Sequence, residues 1–381
     1  MWQIFVRFFM LGLTSFGGPA AHIGYFRHTF VNELNWVDER RFGALVALSQ
    51  FLPGPGSSQL GFAIGLTRGG LGGAIAAFVG FTLPSAMLMY LLAVTSANLL
   101  GQSWFEGLIH GLKLLAVVVV MDACLGMFRQ FCQNTVARLI MAASTIALLL
   151  FGLSWVQFVV LGLAAVVGVG YLSPAGEAGG KLAGIGWGWL LAFALLLGGA
   201  FYGVDAFSGG SEAWLGAVNF QAGSLVFGGG HVVLPLLEGH FSELMSADRF
   251  LTGYAAAQAI PGPMFTLATF LGADAATGDA VFGALIATLA IFLPGFLLLL
   301  AFLPAWEGLS QRPRIAGAVA GVNAAVVGLL LSALYQPIWL SAVAGPIDMA
   351  LVVAGFAALK VLRLPILALV AGFALVGGLW L

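Results

Sequence analysis

Charge is scarce in this sequence. Lys and Arg number 14 and Asp and Glu 15 among 381 residues, so 8% of the chain is charged, against roughly 25% in a soluble domain. So few charges cannot wet the surface of a soluble protein of this size, and without a basic patch no nucleic-acid partner is expected. Cysteine is scarcer still, with Cys124 and Cys132 alone. Eight positions apart on one helix, they would be separated by about 12 Å of rise, too far for a disulfide. Paired carboxylates, metal-ligand spacings, nucleophile–base pairs and a G-x-x-x-x-G-K phosphate loop are all missing from the pattern, so no cofactor, metal or catalytic residue is expected. A membrane-embedded enzyme using His22 and His231 as acid and base stands as a weaker alternative.

Hydrophobic residues make up 61% of the chain, in recurring runs of the length that a membrane helix needs. They cover residues 2–25, 42–66, 70–99, 107–128, 137–153 and 155–172, then 213–237, 250–272, 280–304, 315–336, 342–360 and 364–381. The first run is read as a retained span rather than a cleaved leader, because Arg7 interrupts it and no small-residue cleavage site comes after it. Between the two sets lies the small-residue loop "SPAGEAGGKLAGIG" (173–186) and one more apolar run, 187–204.

The two sets repeat each other. Phe16-Gly17-Gly18 recurs as Phe227-Gly228-Gly229, Gln50 as Gln258, and Pro53-Gly54-Pro55 as Pro261-Gly262-Pro263; Leu83-Pro84 recurs as Leu293-Pro294, and Lys113 falls opposite Asn323, all at offsets of 208 to 211. The expected fold is an all-α integral membrane protein of two repeats, 1–175 and 211–381, joined by a linker with one span, 176–210. Six, one and six spans make about thirteen, and an odd linker span sets the two repeats upside down, as in many secondary transporters. With the N-terminus inside, thirteen spans put Arg68, Arg129, Arg138, Lys181, Arg249, Arg312, Arg314, Lys360 and Arg363 in the cytoplasm and only Arg27, Arg40 and Arg41 outside. Pro-Gly-Pro segments that dip in without crossing are the alternative, and on that reading the same residues are expected to divide more evenly.

Three features carry candidate chemistry. "FGGPAAH" and "FGGGH" place Gly17, Gly18 and His22, and Gly228, Gly229, Gly230 and His231, where a helix must break. Such a break frees backbone groups that only protein or a water-filled cavity can satisfy, and it exposes a helix N-terminus suited to an anion; close helix packing by glycine is the plainer alternative. "QFLPGPGSSQ" and "QAIPGPMFT" follow a break at each Pro-Gly-Pro with Ser57, Ser58 and Gln59, or with Thr266, whose hydroxyls and amide suit an oxyanion. Lys113 lies within an apolar run, which reads as a functional charge or as a lysine snorkelling to the interface. Arg27 comes five residues after His22 and is a vestibule candidate or a span flank.

At these residues the chain resembles the chromate ion transporter family in its long, two-domain form. The resemblance rests on "LTSFGGPAAHIGYFR" (13–27), "QFLPGPGSSQLGFAIGLTRGGLGGA" (50–74), "FTLPSA" (81–86), "FGGGHVVLPLL" (227–237) and "AAQAIPGPMFTLATFLGA" (256–273). It departs at 30–42, where Leu34-Asn35 precede the tryptophan in place of the family's usual basic residue. The resemblance implies a bacterial inner-membrane protein that exports chromate and confers resistance. The charge bias sets the N-terminus in the cytoplasm, and two copies fused in one chain suit a monomer in the lipid bilayer, with a homodimer as the alternative. Export is favourable on physical grounds: a dianion leaving a negative interior gains about 4.6 kcal/mol per 100 mV, enough for roughly a thousandfold outward gradient without ATP. Proton antiport through His22 and His231, or uptake of sulfate or a related oxyanion with a coupling ion, are the alternatives.

Overall fold

A computed structural model of the chain describes residues 1–16, 18–96, 102–151, 156–174, 184–227, 230–306 and 312–380. Every element among them is helical, as lipid requires of a chain that must satisfy its own backbone. In order these are α1 (Trp2–Thr14), α2 (Gly18–Phe26), α3 (Glu39–Phe51), α4 (Gly56–Ser96), α5 (Ser103–Phe131), α6 (Thr135–Phe151), α7 (Val156–Tyr171) and α8 (Trp187–Ala206). The second half continues with α9 (Glu212–Leu225), α10 (Val233–Phe241), α11 (Ala247–Ala259), α12 (Leu267–Ala275), α13 (Ala280–Phe302), α14 (Pro313–Ala333), α15 (Pro346–Lys360) and α16 (Ile366–Trp380). The backbone leaves helical geometry at Gly69 and Gly70, which divides α4 into a short arm, 56–68, and a long arm, 71–96. By length and composition α4, α5, α8, α13 and α14 can cross a membrane, and α6, α7 and α16 are shorter apolar helices.

The runs 2–25, 42–66, 213–237 and 250–272 are not continuous helices but pairs of short ones. A 13-residue helix such as α1, α3 or α11 rises about 20 Å, short of a hydrocarbon core of about 30 Å. Each pair turns back on itself. Phe26 and Phe30, beyond the first break, return to Phe8 of α1 (ring centroids 5.6 and 4.7 Å). Phe241 at the end of α10 returns to Trp214 at the start of α9 (5.3 Å). Past the Pro-Gly-Pro breaks, Arg68 lies over the ring of Trp36, just ahead of α3 (5.4 Å), and Arg249 at the start of α11 lies over Phe270 of α12 (4.8 Å). The capped starts of α3 and α11 match: Asp38 accepts the Arg41 N–H (2.8 Å) and Ser246 the Arg249 N–H (3.2 Å).

Close glycine contacts fix the other directions. α1 runs parallel to the long arm of α4, with Ile4 beside Gly73 and Gly12 against Phe81. α9 runs parallel to α13 in the same way, with Gly216 beside Ile286 and Gly223 against Ile291. The short arm of α4 and α12 run antiparallel to those partners through Gly65–Gly73 and Gly272–Gly283. The expected linker span is α8, an apolar helix that stays largely exposed and packs Ala200 against Ala217, Phe220 and Leu297.

Because both first-half hairpins return to the face where Met1 packs on Gly72, the charges sort differently from expectation. Arg27, ion-paired to Glu39 (2.9 Å), Arg40 and Arg41 lie on that face with Arg68. They do not fall on the opposite one, as thirteen crossings would have it. Arg129 in the last turn of α5, Arg138 at the start of α6, Arg312 and Arg314 at the start of α14, and Lys360 and Arg363 at the end of α15 share that face. Arg249 lies on the other, against Ser96 and Ala93 at the far end of α4. Among the described residues, Lys113 and Arg249 are the only cations toward that second face, and both are buried. Hairpins thus concentrate positive charge on one side rather than dividing it; Lys181 lies outside the described residues.

Candidate functional site

The two halves meet at their breaks, and they meet crosswise. The Gly54 N–H in the first Pro-Gly-Pro donates to the carbonyl of Val226, just before the second half's "FGGG" (2.7 Å). The Gly262 N–H in the second Pro-Gly-Pro donates to the carbonyl of Ser15, just before the first half's "FGGP" (2.9 Å). Both glycines have left-handed backbone, φ 116° and 101°, which L side chains avoid. Neither has room for one: a Cβ on Gly54 would lie 3.0 Å from Gly295 Cα, and one on Gly262 would lie 2.9 Å from Ser85 Oγ.

Crossing sorts the helix ends. At this junction α1 and α9 end and the returning arms begin. The carbonyls of Ser15 and Val226, at the negative ends of α1 and α9, are taken up by glycine N–H groups. The positive ends are left with spare donors. On the short arm of α4 the first intrahelical bond is Gln59 N–H to Pro55 O (2.9 Å), so the N–H groups of Gly56, Ser57 and Ser58 precede the ladder. In the second half the Thr266 N–H reaches Pro263 O (3.0 Å), and those of Met264 and Phe265 come before it.

Side chains add to this. His22 is buried, with Nε2 3.3 Å from Ser15 O and Nδ1 3.2 Å from Ser57 Oγ. A carbonyl only accepts, so in the neutral ring Nε2 carries the hydrogen and Nδ1 accepts from the Ser57 hydroxyl. Gln59 Nε2 donates to Pro53 O and, across the halves, to Gly295 O, both at 3.0 Å. Its Oε1 and the hydroxyls of Ser58, Ser15 and Thr82 are buried without a partner among the described residues, which is uncommon enough to mark a place for a ligand or water. In the second half His231 Nδ1 faces Tyr254 Oη (2.9 Å) and Gln258 Nε2 (3.2 Å). Both can donate, which makes Nδ1 the acceptor and leaves Nε2–H as the donor. Thr266 is buried and donates to Pro263 O (2.9 Å).

Of the residues singled out in the sequence, His22, Pro53, Gly54, Pro55, Ser57, Ser58 and Gln59 are thus brought to one junction with Gly262. His231, Gln258, Pro261, Pro263, Gly230 and Thr266 lie along its second-half side. Gln50 is exposed on α3, with its amide beside Gly56, and Gly18 starts α2. Gly17, Gly228 and Gly229 lie outside the described residues. Arg27 does not join the junction; it sits on the surface with Glu39. Lys113 is buried but spends its charge on Asp248 of α11 (2.7 Å). Asn323, its match on α14, is buried with Oδ1 unpartnered. Sequence reasoning missed Ser15, Ser85, Tyr254 and Gly295. Ser85 and Gly295 come directly after the matched prolines Pro84 and Pro294, and Tyr254 precedes Gln258 by one helical turn, so the repeat and the helix period held the signal.

A family model described as chromate transporter matches residues 2–169 and 213–378. A chromate transport protein of Pseudomonas aeruginosa is 30% identical over 353 residues, 86% of this chain and 79% of the relative. One of Cupriavidus metallidurans is 26% identical over 379 residues, 98% and 92% of the two chains. An uncharacterised transporter of Methanocaldococcus jannaschii is 27% identical over 341 residues, 87% and 82%. No solved structure matches the chain.

Proposed function

This chain belongs to the chromate transporter family, a family of membrane transporters rather than enzymes, and on that premise we propose that it exports chromate from the cytoplasm through the crossed junction and so confers resistance. The observation that carries the reading is the reciprocal pair of hydrogen bonds, Gly54 to Val226 and Gly262 to Ser15. They hold the positive ends of broken helices from both halves around His22, Ser57, Ser58 and Gln59. A tetrahedral dianion needs donors from several directions and a positive potential, and helix ends supply both with few full charges. Neutral donors also suit an ion that must leave again.

We further infer that the halves, 1–175 and 211–381, are inverted about the linker 176–210. What supports this is that the end of α4 at Ser96 lies against the start of α11, so α13 sets out from the side on which α4 finishes. On this reading nine helices cross (the long arm of α4, α5 to α8, and α13 to α16), and the four hairpins reach the middle from opposite faces. The face rich in arginine is cytoplasmic by the positive-inside rule, and with it the N-terminus. Both halves contribute to one junction, so a monomer in the bacterial plasma membrane is the working unit.

The test is chromate and sulfate flux in proteoliposomes at clamped potential. Electrically driven export predicts a chromate efflux gradient that steepens by about tenfold for each 30 mV of inside-negative potential, from two charges at about 2.3 kcal/mol per 100 mV each. Flux indifferent to potential but dependent on a proton gradient would replace that driving force by antiport, and sulfate outcompeting chromate would reassign the substrate.

A further inference from the structure

Arg249 and Arg41 occupy matched positions, 208 residues apart, on α11 and α3, and their helices start alike, each with its arginine N–H on a capping side chain. Their side chains differ completely. Arg249 is buried: Nε donates to Asp274 Oδ1 on α12 (2.8 Å), Nη1 to Ser96 Oγ (2.6 Å) and Nη2 to Ala93 O (2.7 Å), the last two at the end of α4. Arg41 is exposed and has no ion pair or side-chain hydrogen bond among the described residues. It lines a cleft of about 570 Å³ with Ala44, Leu45, Leu303, Pro304 and Trp306. Leu303 and Trp306 at the end of α13 stand 210 positions after Ala93 and Ser96. The cleft lies where the first half lacks the clasp that the second half has made.

Burial along the two helices repeats the contrast. Gly43, Ala44 and Ala47 are exposed on α3, leading from Arg41 toward Gln50 and the first Pro-Gly-Pro, while the matched Leu251, Thr252 and Ala255 of α11 are buried. Each of these positions is thus exposed in one half and buried in the other.

We propose that Arg249 and Arg41 are the gate residues of the two faces, and that the structure holds the Arg249 gate shut and the Arg41 gate open. The proposal rests on the inverted-repeat reading above. Exchange of the two hairpin positions gives the opposite state: Arg249 leaves Asp274 and Ala93 for water, and Arg41 docks on the end of α13. There its guanidinium meets the carbonyl at Leu303 and the face of Trp306, a surface that suits a planar cation. The two docks are unequal. Aligned on Gly65 and Gly272, which meet the long arms in the same way, Thr67 stands where Asp274 has its match, so the Arg41 clasp lacks a carboxylate, and the resting protein favours the state seen here.

The experiment places reporter cysteines at the matched sites, Ala44→Cys and Thr252→Cys, with Cys124 and Cys132 replaced by alanine, and measures labelling by a membrane-impermeant maleimide from each face. In the parent, Ala44→Cys reacts and Thr252→Cys is protected. Arg249→Ala, or the milder Asp274→Asn, raises Thr252→Cys labelling by about tenfold and lowers Ala44→Cys labelling in step, because one two-state element sets both. Thr67→Asp, which supplies the missing carboxylate to Arg41, moves both reporters in that same direction without disturbing the Arg249 cluster. Unchanged Thr252→Cys labelling in all three variants overturns the proposal. A rise there without a fall at Ala44→Cys also overturns it, since it reduces Arg249 to a local brace. Labelling needs no substrate, so a failed chromate assay leaves this readout standing.

Discussion

At Gly54 and Gly262 the backbone takes the same left-handed turn and each N–H crosses to the other half, yet the residues beyond the two turns are unlike. The first hairpin continues with Ser57, Ser58 and Gln59, whose matches in the second are Phe265, Thr266 and Leu267. The first set turns a hydroxyl to His22 and an amide to Gly295, and leaves polar atoms unpartnered. In the second, Phe265 and Leu267 are packed into the core and the Thr266 hydroxyl is satisfied locally. The scaffold is duplicated and the chemistry is not. Both hairpins keep spare backbone N–H groups, and the first adds the unpartnered side-chain atoms of Ser58 and Gln59.

The largest effect that probes this comparison comes from the turns themselves. Gly54→Ala forces a side chain into left-handed backbone and against Gly295 Cα at 3.0 Å, a backbone atom that cannot yield. Strain and overpacking together predict a loss of about 2–5 kcal/mol and abolished chromate flux. Gly262→Ala meets Ser85 Oγ, which can rotate away, so about 1–3 kcal/mol and partial flux are expected. Detergent-titrated unfolding of both variants ranks them. Equal losses would mean that the crossing bonds, and not the steric surroundings, set the cost.

Much of this was legible in the sequence because broken helices announce themselves. Gly-Gly-Pro, Gly-Gly-Gly and two Pro-Gly-Pro segments cannot continue a helix, and their constant spacing marks the repeat; the breaks and the apolar run that forms α8 come from that, whereas the meeting of His22 with Ser57 is seen only in the structure. The return of each broken segment to its own face does not come from the spacing either. A run of about 25 apolar residues reads alike whether it crosses or doubles back, and direction is decided by contacts such as Phe8 with Phe26 and Arg68 with Trp36. The sidedness expected of Arg27, Arg40, Arg41 and Arg249 is therefore reversed in the structure. Pairing is hidden for the same reason, since nothing local ties Lys113 to Asp248 or Arg249 to Ala93, 156 residues away.

Gln59→Leu removes one side chain that bridges the halves and leaves the carbonyls of Pro53 and Gly295 without that donor. It substitutes the residue already present at the matched position 267, so packing is nearly conserved and the lost hydrogen bonds dominate. A destabilisation of about 1–3 kcal/mol is expected, with flux reduced more than the amount of folded protein. Wild-type flux would remove Gln59 from the site.

The Lys113–Asp248 pair tests whether a buried cation in this protein serves substrate or structure. Lys113 is buried and Asp248 is 63% exposed, so the two single variants are unequal. Asp248→Asn strands a buried charge and costs about 1–2 kcal/mol, discounted for the partner's exposure. Lys113→Met releases a carboxylate to water and costs less. The double variant recovers stability in a double-mutant cycle, and flux recovers with it if the pair is structural. Persistent loss of flux in the double variant would assign Lys113 to the transport path.

The smallest effect separates binding from folding most cleanly. Ser58 Oγ is buried and has no partner among the described residues, while its match Thr266 already donates to Pro263 O. Ser58→Ala therefore removes a hydroxyl that stabilises nothing within the protein, and stability changes by less than about 0.5 kcal/mol. Thr266→Val removes a hydroxyl with a job and costs about 1 kcal/mol. If the first hairpin is the donor wall, their effects on transport reverse that order: Ser58→Ala raises the KM for chromate several-fold, and Thr266→Val leaves it unchanged. Concentration-dependent flux for the two variants decides it, and a KM unmoved by Ser58→Ala would shift the anion away from the first hairpin toward His231 and Gln258.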